Sequence, residues 1–156
     1  MAIKFYSTQD EYGAFSNFAP YPFTLDGKRW PTSEHYFQAQ KFAGTKDEAH
    51  AEQIRKANSP VIAARMGRSR KVKVRRDWEG VKDGVMRKVV LRKFETHVDI
   101  RELLLGTGGE TIVEKTADDY YWGCGADGSG KNRLGQILME VQAVLRERVG
   151  ADKDEG

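Results

Sequence analysis

Phe23-Thr24-Leu25-Asp26-Gly27-Lys28-Arg29-Trp30-Pro31-Thr32-Ser33-Glu34-His35-Tyr36-Phe37-Gln38-Ala39-Gln40-Lys41-Phe42 carries a β-ribbon and a helix in one run. Asp26-Gly27, flanked by Phe23-Thr24-Leu25 and Lys28-Arg29-Trp30, is a two-residue hairpin signal. Pro31 stops the ribbon. Thr32 or Ser33 can cap a helix that runs to about Phe42 and is ended by Gly44. Upstream, residues 3–6 read as a short strand. Downstream, the spacing predicts a second helix over about 47–57, and Ser59-Pro60 is a cap plus first-turn proline for a third that ends near Gly67. Asp77 can cap the longest central helix, from Trp78 to about His97. Val81, Val85 and Val89 alternate there with Met86, Val90 and Phe94 to give an apolar stripe. Residues 99–105 read as another helix and 111–114 as a short strand. A glycine-rich loop then leads into a last helix over about 133–149, with Leu134, Ile137, Leu138, Val141 and Leu145 on its core face. The expected fold is mainly α with a small antiparallel β-ribbon near the N-terminus. One domain is expected over residues 1–149, followed by a flexible polar tail, 150–156.

Composition narrows the function classes. The 156 residues, 39% hydrophobic and 31% charged, suit one globular domain with its own core. The longest apolar runs are too short for a transmembrane helix, and the first residues lack a signal-peptide stretch. A cytoplasmic protein with no membrane partner is expected. The single cysteine, Cys124, has no partner for an internal disulfide, and one Cys with three scattered His gives no metal pattern. Neither metal nor cofactor is expected. Net charge is only +3, but Arg65, Arg68, Arg70, Lys71, Lys73, Arg75 and Arg76 crowd positions 65–76 with no acid among them. That stretch is either a solvated basic loop or a phosphate-attracting surface, so a nucleic-acid partner stays open.

Three segments can carry chemistry. In the helix after Pro31, Glu34, Gln38 and Lys41 share one face, and Glu34 and Lys41 stand ~10 Å apart along the axis. A carboxylate and an amine facing one cleft suit acid–base or covalent work at a ribose carbon; a solvated polar face has the same spacing. His35, Tyr36 and Phe37 make the segment unusually aromatic for an exposed helix. Second, Asp118-Asp119-Tyr120-Tyr121-Trp122-Gly123-Cys124-Gly125 offers carboxylates, aromatic faces for a base and glycines for close approach; a tight turn with core aromatics reads equally well. Third, Gly125-Ala126-Asp127-Gly128-Ser129-Gly130-Lys131-Asn132-Arg133 approaches a phosphate-loop pattern. It fails because Asn132 stands where Ser or Thr must hold magnesium, no strong buried strand precedes it, and only residues 133–156 follow. Its backbone amides at a helix start could still hold a phosphate. Asn17, in Phe15-Ser16-Asn17-Phe18, can bond a base or ribose edge or hold a turn. Trp30 and Trp78 read as core, His97 as a helix-end residue and His50 as a surface one.

Taken together, Phe15-Ser16-Asn17-Phe18, Leu25-Asp26-Gly27, the run Trp30 through Phe42, Met86, Lys93-Phe94, Asp119, Trp122-Gly123, Gly125, Gly130 through Gly135 and Leu138-Met139 resemble the NADAR, or YbiA-like, family over about residues 5–145. The resemblance implies a mainly helical fold and cleavage of N-glycosidic bonds. In the YbiA-like branch it implies phosphoribosylamino-pyrimidines of riboflavin biosynthesis as substrates, hydrolysed to ribose 5-phosphate and a free pyrimidine. Other members remove ADP-ribose from guanine in DNA, and a non-catalytic module binding NAD or ADP-ribose is a further alternative. Lys41 matches the lysine thought to form a Schiff base with ring-opened ribose, and Glu34 and Asp119 match the family's acids. These three are the expected catalytic residues. Asn17, Phe18, His35, Gln38, Tyr121, Trp122, Gly123, Gly125, Lys131 and Asn132 are expected to bind a phosphoribosyl or ADP-ribosyl substrate. Cys124 departs from the pattern, since related sequences often carry Asp there.

Overall fold

In a computed structural model the chain is described over residues 2–155, with side chains described through Ala151. In order, the elements are β1 (Ala2–Phe5), a single 3-10 turn (Gly13–Phe15), β2 (Phe23–Leu25), β3 (Lys28–Trp30), α1 (Ser33–Ala39), α2 (Glu48–Arg55), α3 (Pro60–Gly67), α4 (Trp78–Thr96), α5 (Val98–Leu105), β4 (Thr111–Glu114) and α6 (Arg133–Glu155). The fold is mainly α, as expected. It divides into two compact units: one takes the residues up to Ser16 and those from His97 on, the other takes Asn17–Thr96.

In the Asn17–Thr96 unit the local signals act as read. Asp26 and Gly27 both adopt positive φ, 54° and 75°, which the hairpin turn requires at its two central positions. The β2–β3 register is Phe23↔Trp30, Thr24↔Arg29, Leu25↔Lys28. Thr32 is the N-cap of α1, its hydroxyl accepting from the His35 amide at 3.2 Å. Ser59 caps α3 through the Ile62 amide, with Pro60 in the first turn. The α1 helix closes at Ala39, short of Phe42, because the bond from Lys41 N reaches only to Gln38 O.

All seven residues of α1 are buried, so this short helix is the centre of its unit. Trp30 meets Tyr36 edge-on at 5.0 Å, and Phe37 meets Trp78 at 5.0 Å. Asp26 ties three elements together: its carboxylate accepts from the Tyr36 hydroxyl (2.7 Å) and from Lys88 of α4 (2.8 Å). The Lys88 bond holds the Asp26 carboxyl below its ordinary pKa, while burial pushes the Tyr36 phenol well up. Trp30 and Trp78 are core, as expected. His50 is not a surface residue: it is half-buried, its Nε2 bonds to Met66 O at 2.9 Å and its ring packs on Phe42. Of the expected α4 stripe, Met86, Val89, Val90 and Phe94 are buried, whereas Val81 and Val85 are half-buried.

The other unit is built on pairing of distant segments. β1 and β4 form a two-stranded parallel sheet, from Ala2↔Thr111 to Phe5↔Glu114. Ile3, Phe5 and Ile112 point inward, and Leu134, Ile137, Leu138, Val141 and Leu145 of α6 are buried with them. Gln142 closes the end of α5 by donating to Leu104 O (2.8 Å) and Thr107 Oγ1 (2.7 Å). The helix α6 continues past Val149 to Glu155. No helix among the described residues is long and apolar enough to cross a membrane.

Lys93 is 1% exposed on α4, with its Nζ 5.8 Å from the Tyr21 ring and 5.5 Å from that of Phe94. Burial pushes its pKa down to about 7. Below that pH both folded and unfolded chains carry the proton and the burial penalty is complete. Above it, up to the ordinary lysine value, only the unfolded chain does, so stability climbs with pH at on the order of 1 kcal/mol per pH unit. Urea unfolding followed between about pH 7 and about pH 9 is expected to show that rise in the parent chain and a flatter course in Lys93→Met. Equal slopes in both would overturn it.

Candidate active site

Burial forces each polar side chain of α1 to find a partner. Glu34 is 7% exposed and Gln38 3%, one helical turn apart, and Gln38 Nε2 donates to Glu34 Oε1 at 2.7 Å. This removes the solvated-face reading of the segment. Gln38 Oε1 is buried with no hydrogen-bond partner. Asn17 grips the start of α1: its carbonyl accepts from the Glu34 amide (3.1 Å), and its Oδ1 accepts from Ser33 Oγ (2.9 Å). Asn17 Nδ2 lies 3.4 Å from Met86 Sδ. The turn-holding role of Asn17 is therefore filled. Phe18 beside it is half-buried. His35 is held at both ring nitrogens, Nδ1 by Thr32 Oγ1 (2.8 Å) and Nε2 by Ala57 O (3.0 Å). A carbonyl only accepts, so Nε2 carries the hydrogen and Nδ1 accepts from the threonine hydroxyl. Burial lowers the His35 pKa and favours that neutral ring.

Lys41 sits just past the end of α1, half-buried. Its Nζ donates to Gly67 O, at the C-terminus of α3, at 3.4 Å and stands 6.0 Å from the Trp78 ring. Burial is the largest effect on its amine and lowers the pKa. The Glu34 carboxylate pulls the other way, followed by Arg68 (lowering), Glu79 (raising) and Lys82 (lowering). Glu34 and Lys41 are thus electrostatically coupled, as their shared face predicts. The basic stretch is also joined to this place, because the Arg75 amide donates to Lys41 O at 2.9 Å.

The second group lies in the other unit. Asp119 Oδ1 accepts from the Tyr121 amide (2.9 Å) and the Trp122 amide (2.8 Å), an Asx turn that sets the two aromatics. Those rings meet edge-on at 4.8 Å, and Lys131 Nζ stands 5.5 Å from the Tyr121 ring. The glycines serve close packing. A Cβ at Gly123 would fall 2.1 Å from Thr116 Oγ1, and Gly125 has φ 72° with the Tyr120 ring against it. Asn132, at φ 52°, is engaged on β4: its Oδ1 accepts from Glu114 N (3.0 Å) and its Nδ2 donates to Ile112 O (2.9 Å). The amides of Gly130 through Leu134 bond back to carbonyls of residues 120–124, so the loop offers no open row of donors to a phosphate.

The sequence of residues 4–146 matches the NADAR domain model. The chain belongs to the NADAR family. N-glycosidase YbiA of Escherichia coli (strain K12) is 56% identical over 97% of this chain and 90% of its own. The NMR structure of E. coli YbiA superposes with a TM-score of 0.86 at 53% identity, covering 100% of this chain and 89% of that one. The riboflavin biosynthesis protein PYRR of Zea mays is 40% identical over 99% of this chain but only 27% of its own length. This NADAR chain is an N-glycosyl hydrolase. Among its described residues no group of three His, Cys, Asp or Glu is placed to hold a metal ion.

Two residues of this NADAR site escape sequence reading. Gly67 reads as a helix terminator, yet it is the surface on which Gln38 packs: a Cβ there would lie 2.0 Å from Gln38 Oε1. Trp78 reads as core, and its ring also stands 6.0 Å from the Lys41 amine. Neither has a signal in local spacing. Gly67→Ala is expected to push Gln38 off Glu34 and lower kcat/KM by about ten-fold or more, the worth of one buried charge-assisted bond. Gly84→Ala, with nothing within 4 Å of the added carbon, is the control and should keep parental turnover. Equal rates for both variants would overturn the packing argument.

Proposed function

We propose that the chain hydrolyses the ribose–nitrogen bond of phosphoribosylamino-pyrimidines in riboflavin biosynthesis, releasing ribose 5-phosphate and the free aminopyrimidine. The observation that carries this reading is the pairing of a partly buried, pKa-lowered Lys41 amine with the buried Glu34 carboxylate. The riboflavin naming of the maize relative supports the substrate class.

Glu34, as the acid, protonates the ring oxygen, and the C1–O4 bond breaks to leave an imine between C1 and the pyrimidine nitrogen. Neutral Lys41 adds to C1. A proton transfers to the pyrimidine nitrogen, which departs as the amine and leaves a Lys41–C1 imine. Water adds to C1 and expels Lys41, giving the aldehyde of ribose 5-phosphate. Gln38 holds Glu34 in place, and burial shifts the lysine toward the unprotonated amine that the attack needs. In the other unit, Asp119 sets the Tyr121 and Trp122 rings through their backbone amides. Gly123 and Gly125 shape that turn, and Lys131 stands over the Tyr121 ring. The basic stretch tied to Lys41 by the Arg75 amide favours a second reading, removal of ADP-ribose from guanine in DNA.

Incubation with a phosphoribosylamino-pyrimidine, and separately with ADP-ribosylated guanine DNA, decides between them by the sugar phosphate released. Release from the pyrimidine alone supports the first reading; release from the DNA alone replaces it with the second. Saturable nucleotide binding without turnover would replace both with a binding module. Borohydride added during turnover is expected to fix the pentose phosphate on the chain, and Lys41→Arg should lose both the adduct and at least about 100-fold in kcat, because charge is kept but nucleophilicity is not. The kcat/KM profile should rise with pH as Lys41 loses its proton, reaching half-height below the ordinary lysine value of 10.5. An unchanged adduct in Lys41→Arg would sink the covalent route.

A further inference from the structure

The outward face of the β1–β4 sheet is the floor of a cleft of about 680 Å³. Lys4 and Val113 are register partners on that floor, and Tyr6 and Lys115, two positions on, extend it. One wall is the 116–128 loop, with Cys124, Gly125 and Gly128 facing the space. The wall is preformed: Cys124 N donates to Glu114 O (3.0 Å), Gly130 N to Cys124 O (2.7 Å), and Thr116 Oγ1 to Asp119 O (2.8 Å). Every lining residue belongs to the same compact unit.

The charge of this cleft is one-sided. Its lining holds Lys4 and Lys115 and no acid. Neither ammonium makes an ion pair or hydrogen bond among the described residues. Strand spacing and rise put the two Cα atoms ~8 Å apart, close enough for both flexible side chains to converge on one anion. Tyr6, two positions along β1's direction from Lys4 and abreast of Lys115, is 65% exposed, an aromatic face with no partner of its own. A cleft in the size range of small-molecule sites, with two unpaired cations and one free ring, fits a ligand with a planar aromatic end and a phosphate end.

We propose that this cleft binds a nucleoside monophosphate, its base on Tyr6 and its phosphate between Lys4 and Lys115, independently of the Lys41 chemistry. The site is read from the cleft alone, so it stands whichever glycosidic substrate the chain takes. The test is an NMR titration of the full chain with AMP, and with inorganic phosphate and adenosine as the two halves. Saturating shifts at Lys4, Tyr6, Val113 and Lys115 are expected, with AMP at least about ten-fold tighter than either half. The double variant Lys4→Gln with Lys115→Gln should weaken AMP by about ten-fold or more, while its thermal midpoint and turnover stay at the parental level. Lys41→Ala should bind AMP as the parent does. Cys124, the chain's one thiol, gives a second readout, since bound AMP should slow its alkylation. No shifts at these residues with millimolar AMP, or shifts that persist undiminished in the double variant, would overturn the proposal. Equal affinity for AMP and free phosphate would also overturn it, reducing the cleft to a generic anion patch.

Discussion

A helix buried along its whole length, yet carrying Ser33, Glu34, His35 and Gln38, sets the terms for the Asn17–Thr96 unit. Unpaired, each of these groups would cost on the order of 1–3 kcal/mol, and more for the carboxylate. Their partners come from many directions. Asn17 takes Ser33 and the Glu34 amide, Thr32 and Ala57 take His35, and Asp26 of the hairpin takes Tyr36. The loop before the ribbon, the ribbon itself and the chain after α2 are all positioned by the needs of one short helix. The apolar packing of Trp30, Phe37 and Trp78 around it supplies the burial that creates those needs.

The same constraint shapes the surroundings of Glu34 and Lys41. Glu34 cannot swing away, because Gln38 holds one oxygen and Gly67 leaves Gln38 no room on the far side. Lys41 emerges where the buried helix gives way to the basic segment. Its amine therefore feels partial desolvation and two neighbouring cations against two carboxylates. Desolvation leads that balance, which is the direction an amine nucleophile requires. The Gly67 carbonyl, at the end of α3 where no further turn can reach it, accepts from the Lys41 ammonium.

What the sequence discloses is what local chemistry decides. The Asp26-Gly27 turn, the Thr32 and Ser59 caps and the first-turn Pro60 need nothing beyond their neighbours, and each stands where it was expected. The parallel pairing of β1 with β4 was hidden, because strands so distant in sequence leave no mark of register or direction. The Glu34, Gln38 and Lys41 face was legible as a spacing, but spacing does not separate a buried face from a wet one; the aromatic content of α1 was the better clue. His50 misled because a lone polar residue on a helix gives no hint that a carbonyl of another helix will meet it.

The glycine-rich loop shows how a motif can be correct in place and different in task. Its glycines and Asn132 look built for a phosphate, yet the amides of Gly130 through Leu134 close on the preceding turn, and the Asn132 side chain completes the backbone bonding of β4. An amide bonded to a buried carbonyl cannot also hold an anion without leaving that carbonyl unsatisfied. The loop is therefore a brace that fixes Tyr121, Trp122 and the wall containing Cys124, and any phosphate this unit holds must be met by side chains. Lysines that lack carboxylate partners are the groups with that capacity to spare, and in this unit Lys4 and Lys115 share one cleft.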